Sequence, residues 1–382
     1  MSALDPVGLT RDLVRCETVT PAAKPALDLL EKHLGDLGFC CVRPVFEEPG
    51  TYPVENLFAK LGSGSPHLAF AGHVDVVPVG DPARWSVAPF GGELKDGRLY
   101  GRGSADMKSG VACFVAAVSK FLEKGPPAGA ISFLIAGDEE SEAVNGTVKL
   151  LAWAQERGET FDACLVGEPT CPEHLGDMAK IGRRGSLVGR LKVRGKLGHT
   201  AYPQRADNAA HRLVAALQAL ATTPIDGGTE WFEPSNLQVT SIDIGNPAAN
   251  VVPGEASAVF NIRFNDGQSV AKLEAWLRGL IEPLAPDYDL NVQSNADAFV
   301  TAPGPLTDML ADAVEAVTGL RPKMSTTGGT SDARFIKNYC PVVEFGLVGT
   351  TMHQADEHVA VADIQGLTRI YEAFLDRWFG RA

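Results

Sequence analysis

The run Leu68-Ala69-Phe70-Ala71-Gly72 is apolar throughout and then breaks into His73-Val74-Asp75. A run without polar alternation reads as a strand covered on both faces. A strand of that kind needs a helical layer on each side, which confines the chain to a few layered α/β architectures. The same texture recurs three times. Ile131 to Ala136 breaks at Gly137 into Asp138-Glu139-Glu140, and Ala163 to Val166 ends in Gly167-Glu168-Pro169. Pro341-Val342-Val343-Glu344-Phe345-Gly346 leads by a loop to Met352-His353. Further strands are predicted at 39–46 and 56–61, and helical spacing marks 5–15, 23–38, 111–122 and 363–379. The expected fold class is therefore α/β, a mostly parallel sheet with helices on both faces. Ligands of such sheets gather beyond the carboxyl ends of the strands, where these polar residues fall.

A chain of 382 residues exceeds what one hydrophobic core usually serves. Between about 185 and 294 the texture changes to alternation. Strands are predicted at 186–194, 236–244, 256–264 and 288–293, with helices at 207–222 and 269–282. That β-α-β-β-α-β order is ferredoxin-like and closes on itself as a small α+β domain. The expected organisation is a discontinuous domain over 1–184 and 295–382, carrying an inserted domain at 185–294. Gly182 to Gly185 and Asn295 to Ala298 are the candidate hinges.

A formal charge of -13 argues against nucleic acid or an anionic membrane as the main partner. It leaves room for a small anion in a locally basic pocket. No apolar run reaches the roughly 18 residues needed to span a bilayer, and residues 1–6 lack the pattern of a signal peptide, so a cytoplasmic location is expected. Seven cysteines without a C-x-x-C predict mainly buried, reduced thiols rather than a thiolate zinc site. The glycine-rich loop Gly101 to Gly110 precedes a helix but lacks the order of a phosphate-binding P-loop.

The strand ends together supply His73, Asp106, Glu139, Glu140, Glu168 and His353. Residues two apart on a strand share a side, so Asp75 stands where it can hold the His73 imidazole while the other ring nitrogen faces a metal. Imidazole nitrogens and carboxylate oxygens suit zinc, with manganese or cobalt as substitutes. Two divalent cations balance three ligating carboxylates and one hydroxide, which leaves one acid spare. Of the adjacent Glu139 and Glu140, one can bind metal while the other takes a proton from a metal-held water, whose pKa falls to about 7, and passes it to a leaving nitrogen. That is metal-assisted amide hydrolysis. Arg183 and Arg263 have the planar fork that pairs with a carboxylate in two hydrogen bonds, although each alone better fits a surface or strand-edge arginine.

His73-Val74-Asp75, Gly103-Ser104-Ala105-Asp106-Met107-Lys108, Asp138-Glu139-Glu140, Gly167-Glu168-Pro169 and His353 resemble, in spacing and type, the M20 family of di-zinc aminoacylases, deacetylases and carboxypeptidases. The resemblance runs over nearly the whole chain and implies a zinc-peptidase-like catalytic domain. Arg183-Arg184-Gly185-Ser186, Gly198-His199-Thr200-Ala201-Tyr202-Pro203, Asn250-Val251-Val252-Pro253-Gly254, Asn261-Ile262-Arg263-Phe264 and Gly328 to Phe335 are most similar to the branch that desuccinylates diaminopimelate. Family members often carry Gly where Ala333 stands and Val where Ala355 stands. The resemblance implies that Asp106 bridges two Zn2+ ions, His73 and Glu168 completing one site and Glu140 and His353 the other. It implies Glu139 as general acid/base, Asp75 behind His73, and a homodimer through 185–294 in which His199 of one subunit stabilises the oxyanion in the other. Ser186, Tyr202, Asn250, Gly329 and Thr330 join Arg183 and Arg263 as implied contacts of a small anionic acyl-amino-acid substrate. The implied reaction is hydrolysis of N-succinyl-LL-2,6-diaminopimelate to succinate and LL-2,6-diaminopimelate. The alternatives are deacylation of N-acetylornithine, cleavage of a dipeptide or carboxy-terminal residue, and a non-catalytic binding protein that has kept the fold.

Overall fold

The structure is a computed structural model and describes residues 3–381. Met1, Ser2 and Ala382, inside the range expected for the first domain, lie outside the described residues, as does the Asn295 side chain. The chain divides into two compact units, one of Met1–Ile181, Thr301–Ser325 and Ser331–Ala382, the other of Gly182–Val300 with Thr326–Thr330.

The larger unit is built on an eight-stranded sheet. Its order is Cys40–Val42, Leu57–Gly62, Ala130–Ala136, His67–His73, Ala163–Val166, Val342–Glu344, Met178–Lys180 and Lys323–Ser325. The middle four strands are mutually parallel, and antiparallel pairs occur toward both edges. Every residue of His67–His73 and Ala130–Ala136 is buried, as expected of strands covered on both faces. Under the sheet, the helix Ser109–Glu123 is apolar nearly all round because it is sandwiched rather than half-exposed. Phe70 stacks on Phe114 with centroids 4.2 Å apart, and Tyr371 of the helix Val361–Trp378 meets both rings edge-on. Each such buried aromatic contributes about 1.5–3 kcal/mol. The buried Tyr371 hydroxyl donates to the Phe345 carbonyl at 2.6 Å and so is satisfied.

Two close approaches set where the polar loops stand. A Cβ at Gly110 would lie 2.3 Å from the Gly167 carbonyl oxygen, and one at Gly72 would lie 2.5 Å from Met107 Cε. Only glycine lets the head of the Ser109–Glu123 helix press this tightly against the strand ends that carry His73 and Glu168.

The smaller unit holds a four-stranded antiparallel sheet in the order Asn236–Asp243, Glu255–Phe264, Gly185–Arg194, Tyr288–Ala296. With helices Ala209–Thr222 and Val270–Ile281 this is the ferredoxin-like arrangement. Glu255–Phe264 alternates strictly, and Phe260, Ile262 and Phe264 meet Leu213, Leu217, Leu273 and Leu277 from the two helices in one core. Asn236–Asp243 is an edge strand with its outer half exposed.

Candidate metal centre

Four strand ends of the larger unit and one helix head deliver the polar groups. His73 closes its strand, and Glu139 and Glu140 follow Ala130–Ala136. Glu168 follows Ala163–Val166, and His353 lies on the loop after Val342–Glu344 at a φ of 62°. Asp106 departs from the sequence expectation. It sits in an irregular turn, Ser104–Lys108, at the head of the Ser109–Glu123 helix rather than at a strand end. The turn brings it inward because the helix is clamped to the sheet at Gly110.

Two sets of three ligand atoms result, His73–Asp106–Glu168 and Asp106–Glu140–His353, each with all atoms within 4.8 Å of one another. His73 Nε2 lies 3.2 Å from Asp106 Oδ1 and 3.6 Å from Glu168 Oε1. His353 Nε2 lies 3.3 Å from Asp106 Oδ2 and 3.1 Å from Glu140 Oε1. A tetrahedron with ligand bonds of about 2.1 Å has edges of about 3.4 Å, so these spacings suit a small divalent cation in each set. Asp106 turns one oxygen to each set. Glu139 belongs to neither set, although its Oε2 lies 3.9 Å from His73 Nε2.

Asp75 has two duties. The His73 Nδ1 atom is nearest the main-chain oxygen of Asp75, at 3.0 Å, with carboxylate Oδ1 at 3.6 Å. The carboxylate instead accepts the N–H groups of Glu139 at 3.3 Å and Glu140 at 3.2 Å, and the Thr20 hydroxyl at 2.7 Å. One buried acid thus orients the histidine and pins the Glu139-Glu140 turn, a coupling the H-x-D spacing alone does not reveal.

Packing several ionisable groups this closely moves their proton affinities in opposite directions. Burial pushes the Glu139 and Glu168 carboxyls well above the usual range, against the lowering effect of His73. Burial also acts to raise Asp106, but hydrogen bonds from His353 and His73 outweigh it and hold this carboxyl low. Bonds to Asp106 and Glu140 raise His353 to about 10. Burial alone would lower His73, yet Asp106 and Asp75 hold it well above its ordinary value.

The remaining site candidates belong to the smaller unit and form two groups. In the first, Ser186 pairs across the sheet with Arg263, and Arg183 Nη1 donates to the Gly329 carbonyl at 3.1 Å. Thr330 follows Gly329 in the segment assigned to this unit. In the second, His199 lies opposite Val251, Thr200 donates its N–H to the Asn250 carbonyl at 3.0 Å, and the Tyr202 ring meets the His199 ring edge-on. His199, Tyr202 and Asn250 are exposed. The second group begins beyond Arg194 and Glu255, at the far end of the strand pair from Ser186 and Arg263. Eight strand residues at about 3.3 Å each put roughly 26 Å between Ser186 and Arg194.

Residues 69–377 match the model of peptidase family M20/M25/M40. The chain belongs to that family. Its relatives include a succinyl-diaminopimelate desuccinylase of Rhodospirillum centenum, 59% identical over 381 residues, covering 100% of this chain and 99% of the relative. An M20 family metallo-carboxypeptidase of Sulfolobus solfataricus shares the fold at a TM-score of 0.79 and 16% identity, over 98% of this chain and 99% of that one. So does a Bacillus subtilis protein described as a dinuclear metal binding peptidase from the M20 family, at a TM-score of 0.69 and 14% identity, over 98% and 96%.

Four residues that the sequence reading did not single out stand against the centre. Thr20 holds Asp75, and the buried Lys108, lowered by burial to about 8, donates to the Cys16 carbonyl at 2.8 Å. Glu357 and Arg102 form a buried pair at 2.6 Å. The acid four residues after His353 and the Arg inside Gly101-Arg102-Gly103 were the available signals. The seven cysteines are free, four of them buried, and no helix among the described residues is long and apolar enough to cross a membrane.

Proposed function

We propose that this chain hydrolyses the amide of N-succinyl-LL-2,6-diaminopimelate to succinate and LL-2,6-diaminopimelate, a step of lysine and diaminopimelate biosynthesis. The observation that carries the reading is Asp106 shared between two three-ligand sets while Glu139 stays outside both. The relative 59% identical over the full length supports the substrate. His73, Asp106 and Glu168 would hold one cation and Asp106, Glu140 and His353 the other. Zinc is the first choice for that donor set, with Co2+ or Mn2+ as substitutes. When bound, the cations polarise the scissile carbonyl and acidify water.

The chain's own groups do the rest. Glu139, in neither ligand set, takes a proton from the attacking water and delivers it to the departing amine nitrogen. Asp75 keeps Glu139 and Glu140 in their separate directions through the two N–H bonds. Arg183 and Arg263 bind carboxylates of the substrate, with Ser186, Gly329 and Thr330 beside them. The roughly 26 Å of strand between that group and the end leading to His199 favours a homodimer through 185–294, in which His199, Tyr202 and Asn250 serve the partner's site. The exposed edge strand Asn236–Asp243 and the exposed Leu197, Ile242 and Ile244 offer surface for such a contact. Free thiols fit the reducing cytoplasm this reading implies.

The test compares the metal-loaded protein on N-succinyl-diaminopimelate and N-acetylornithine. Release of succinate at the higher kcat/KM is the expected result. Faster release of acetate would sink the substrate assignment while leaving the hydrolytic centre intact.

A further inference from the structure

A buried ion pair outside both ligand sets fastens together the loops that carry them. Glu357 is fully buried, four residues after His353. Its Oε1 accepts the N–H groups of Ala105 at 2.8 Å and Asp106 at 3.2 Å. Its Oε2 accepts the Gly103 N–H at 3.1 Å and Arg102 Nη1 at 2.6 Å. The acceptor capacity of one carboxylate is filled by a guanidinium and three amides of a single turn. Arg102, 2% exposed, reaches on to the main-chain oxygens of Gln354 at 3.3 Å and Pro78 at 3.4 Å. The pair therefore touches the three loops that bring in His73, Asp106 and His353.

Fold stability is a weak reason for such a pair, because the desolvation of two buried charges offsets most of their attraction. Geometry is a stronger one. Asp106 must present one oxygen to His73 at 3.2 Å and the other to His353 at 3.3 Å. An aspartate has only two side-chain torsions, so a displaced backbone at Asp106 moves both carboxylate oxygens with it and no long side chain can absorb the change. We infer that Arg102 and Glu357 are positioning residues that set where the Asp106 carboxylate stands between the two cation sites. The inference rests on the two-cation reading above.

Metal-free wild type, Glu357→Gln and Arg102→Lys would each be titrated with Co2+, following heat and the visible absorption of the bound ion. Glu357→Gln keeps the shape, but its amide nitrogen faces donors and leaves Arg102 without its counter-charge. Arg102→Lys keeps the charge and loses the fork. We expect Co2+ affinity to fall about 10–100-fold in Glu357→Gln and less in Arg102→Lys, the range seen when groups that orient metal ligands are changed. The Co2+ absorption should shift in both, and at saturating metal kcat should fall with KM nearly unchanged. A pair that served only folding would lower the melting temperature and leave the affinity and spectrum of the folded protein as they were. That result in either variant overturns the inference, and Arg102→Lys decides it if Glu357→Gln does not fold. Wild type that binds fewer than two ions overturns both the inference and the two-cation reading. Wild type that binds two ions but leaves the succinyl substrate untouched, with weakened variants, removes only the substrate assignment.

Discussion

The larger unit holds His73, Asp75, Asp106 and Glu168 buried against one another, whereas the smaller unit buries Arg183 and Ser186 but leaves His199, Tyr202 and Asn250 exposed. His73 is 1% exposed and Asp106 9%, and each meets several partners in the same chain. Tyr202 is 52% exposed, and the exposed His199 accepts the N–H of Ala201 at its Nδ1 at 3.0 Å. Both three-ligand sets come from one chain. Exposed groups are open to another molecule, which is what the proposed homodimer requires of His199.

The strongest way to break that contrast is at Glu139. Glu139→Gln should lower kcat about 10²–10⁴-fold, the usual worth of a positioned acid/base. Metal analysis should find the cation content of wild type, since Glu139 belongs to neither ligand set. Full activity in this variant would strip Glu139 of its role.

Next comes His199. An oxyanion contact forms mainly in the transition state, so His199→Ala should lower kcat about 10²–10³-fold with a small change in KM. Mixing this variant with Glu139→Gln then asks where His199 works. If it serves the partner, mixed dimers regain activity, because one site combines an intact Glu139 with an intact His199. Two inactive parents that stay inactive on mixing, with exchange of subunits verified by mass, would return His199 to its own chain's site. Arg183→Lys should do less, raising KM about tenfold through loss of one charge-assisted hydrogen bond. An unchanged KM for the succinyl substrate would remove Arg183 from substrate binding.

The same contrast governs what the sequence made legible. The four apolar strands of the larger unit announce themselves because they are covered on both faces, and their chemistry sits at abrupt breaks in the apolar pattern. Glu255–Phe264 is as plain, through strict alternation. Asp106 was found as a residue but misplaced as a strand end, because the turn that turns it inward depends on Gly110 meeting the Gly167 carbonyl, a contact between segments far apart in sequence. The predicted strand 39–46 breaks into Cys40–Val42 and Val45–Phe46 at Arg43-Pro44, where proline has no N–H to give the sheet. The helices Thr147–Glu156 and Pro305–Thr318 were missed. Glu357 was passed over because an acid between Asp356 and His358 looks solvated until the loop folds over it.

The smallest effect concerns the metal-free protein and pH. Folding raises His353 from 6.5 to about 10, so its contribution is complete below about 6.5 and is lost as pH climbs through about 10. Glu139 and Glu168 are also raised, so what they contribute is complete below 4.5 and is likewise lost as pH rises through their elevated values. Asp106, held low, works the other way, and its share is lost only as pH falls below 3.8. The melting temperature of the metal-free protein should therefore drop as pH rises from 7 to 10. Half of the His353 side chain is exposed, and solvent screening keeps its share of that drop modest. Cations remove the slope, because they take the place of the protons and release them on binding. Calorimetric titration at pH 8 in buffers of different ionisation heat should show that release as buffer-dependent enthalpy. A metal-free protein that grew more stable from pH 7 to 10 would mean that the buried cluster is not held together by protons, and its perturbation would no longer separate it from the exposed groups of the smaller unit.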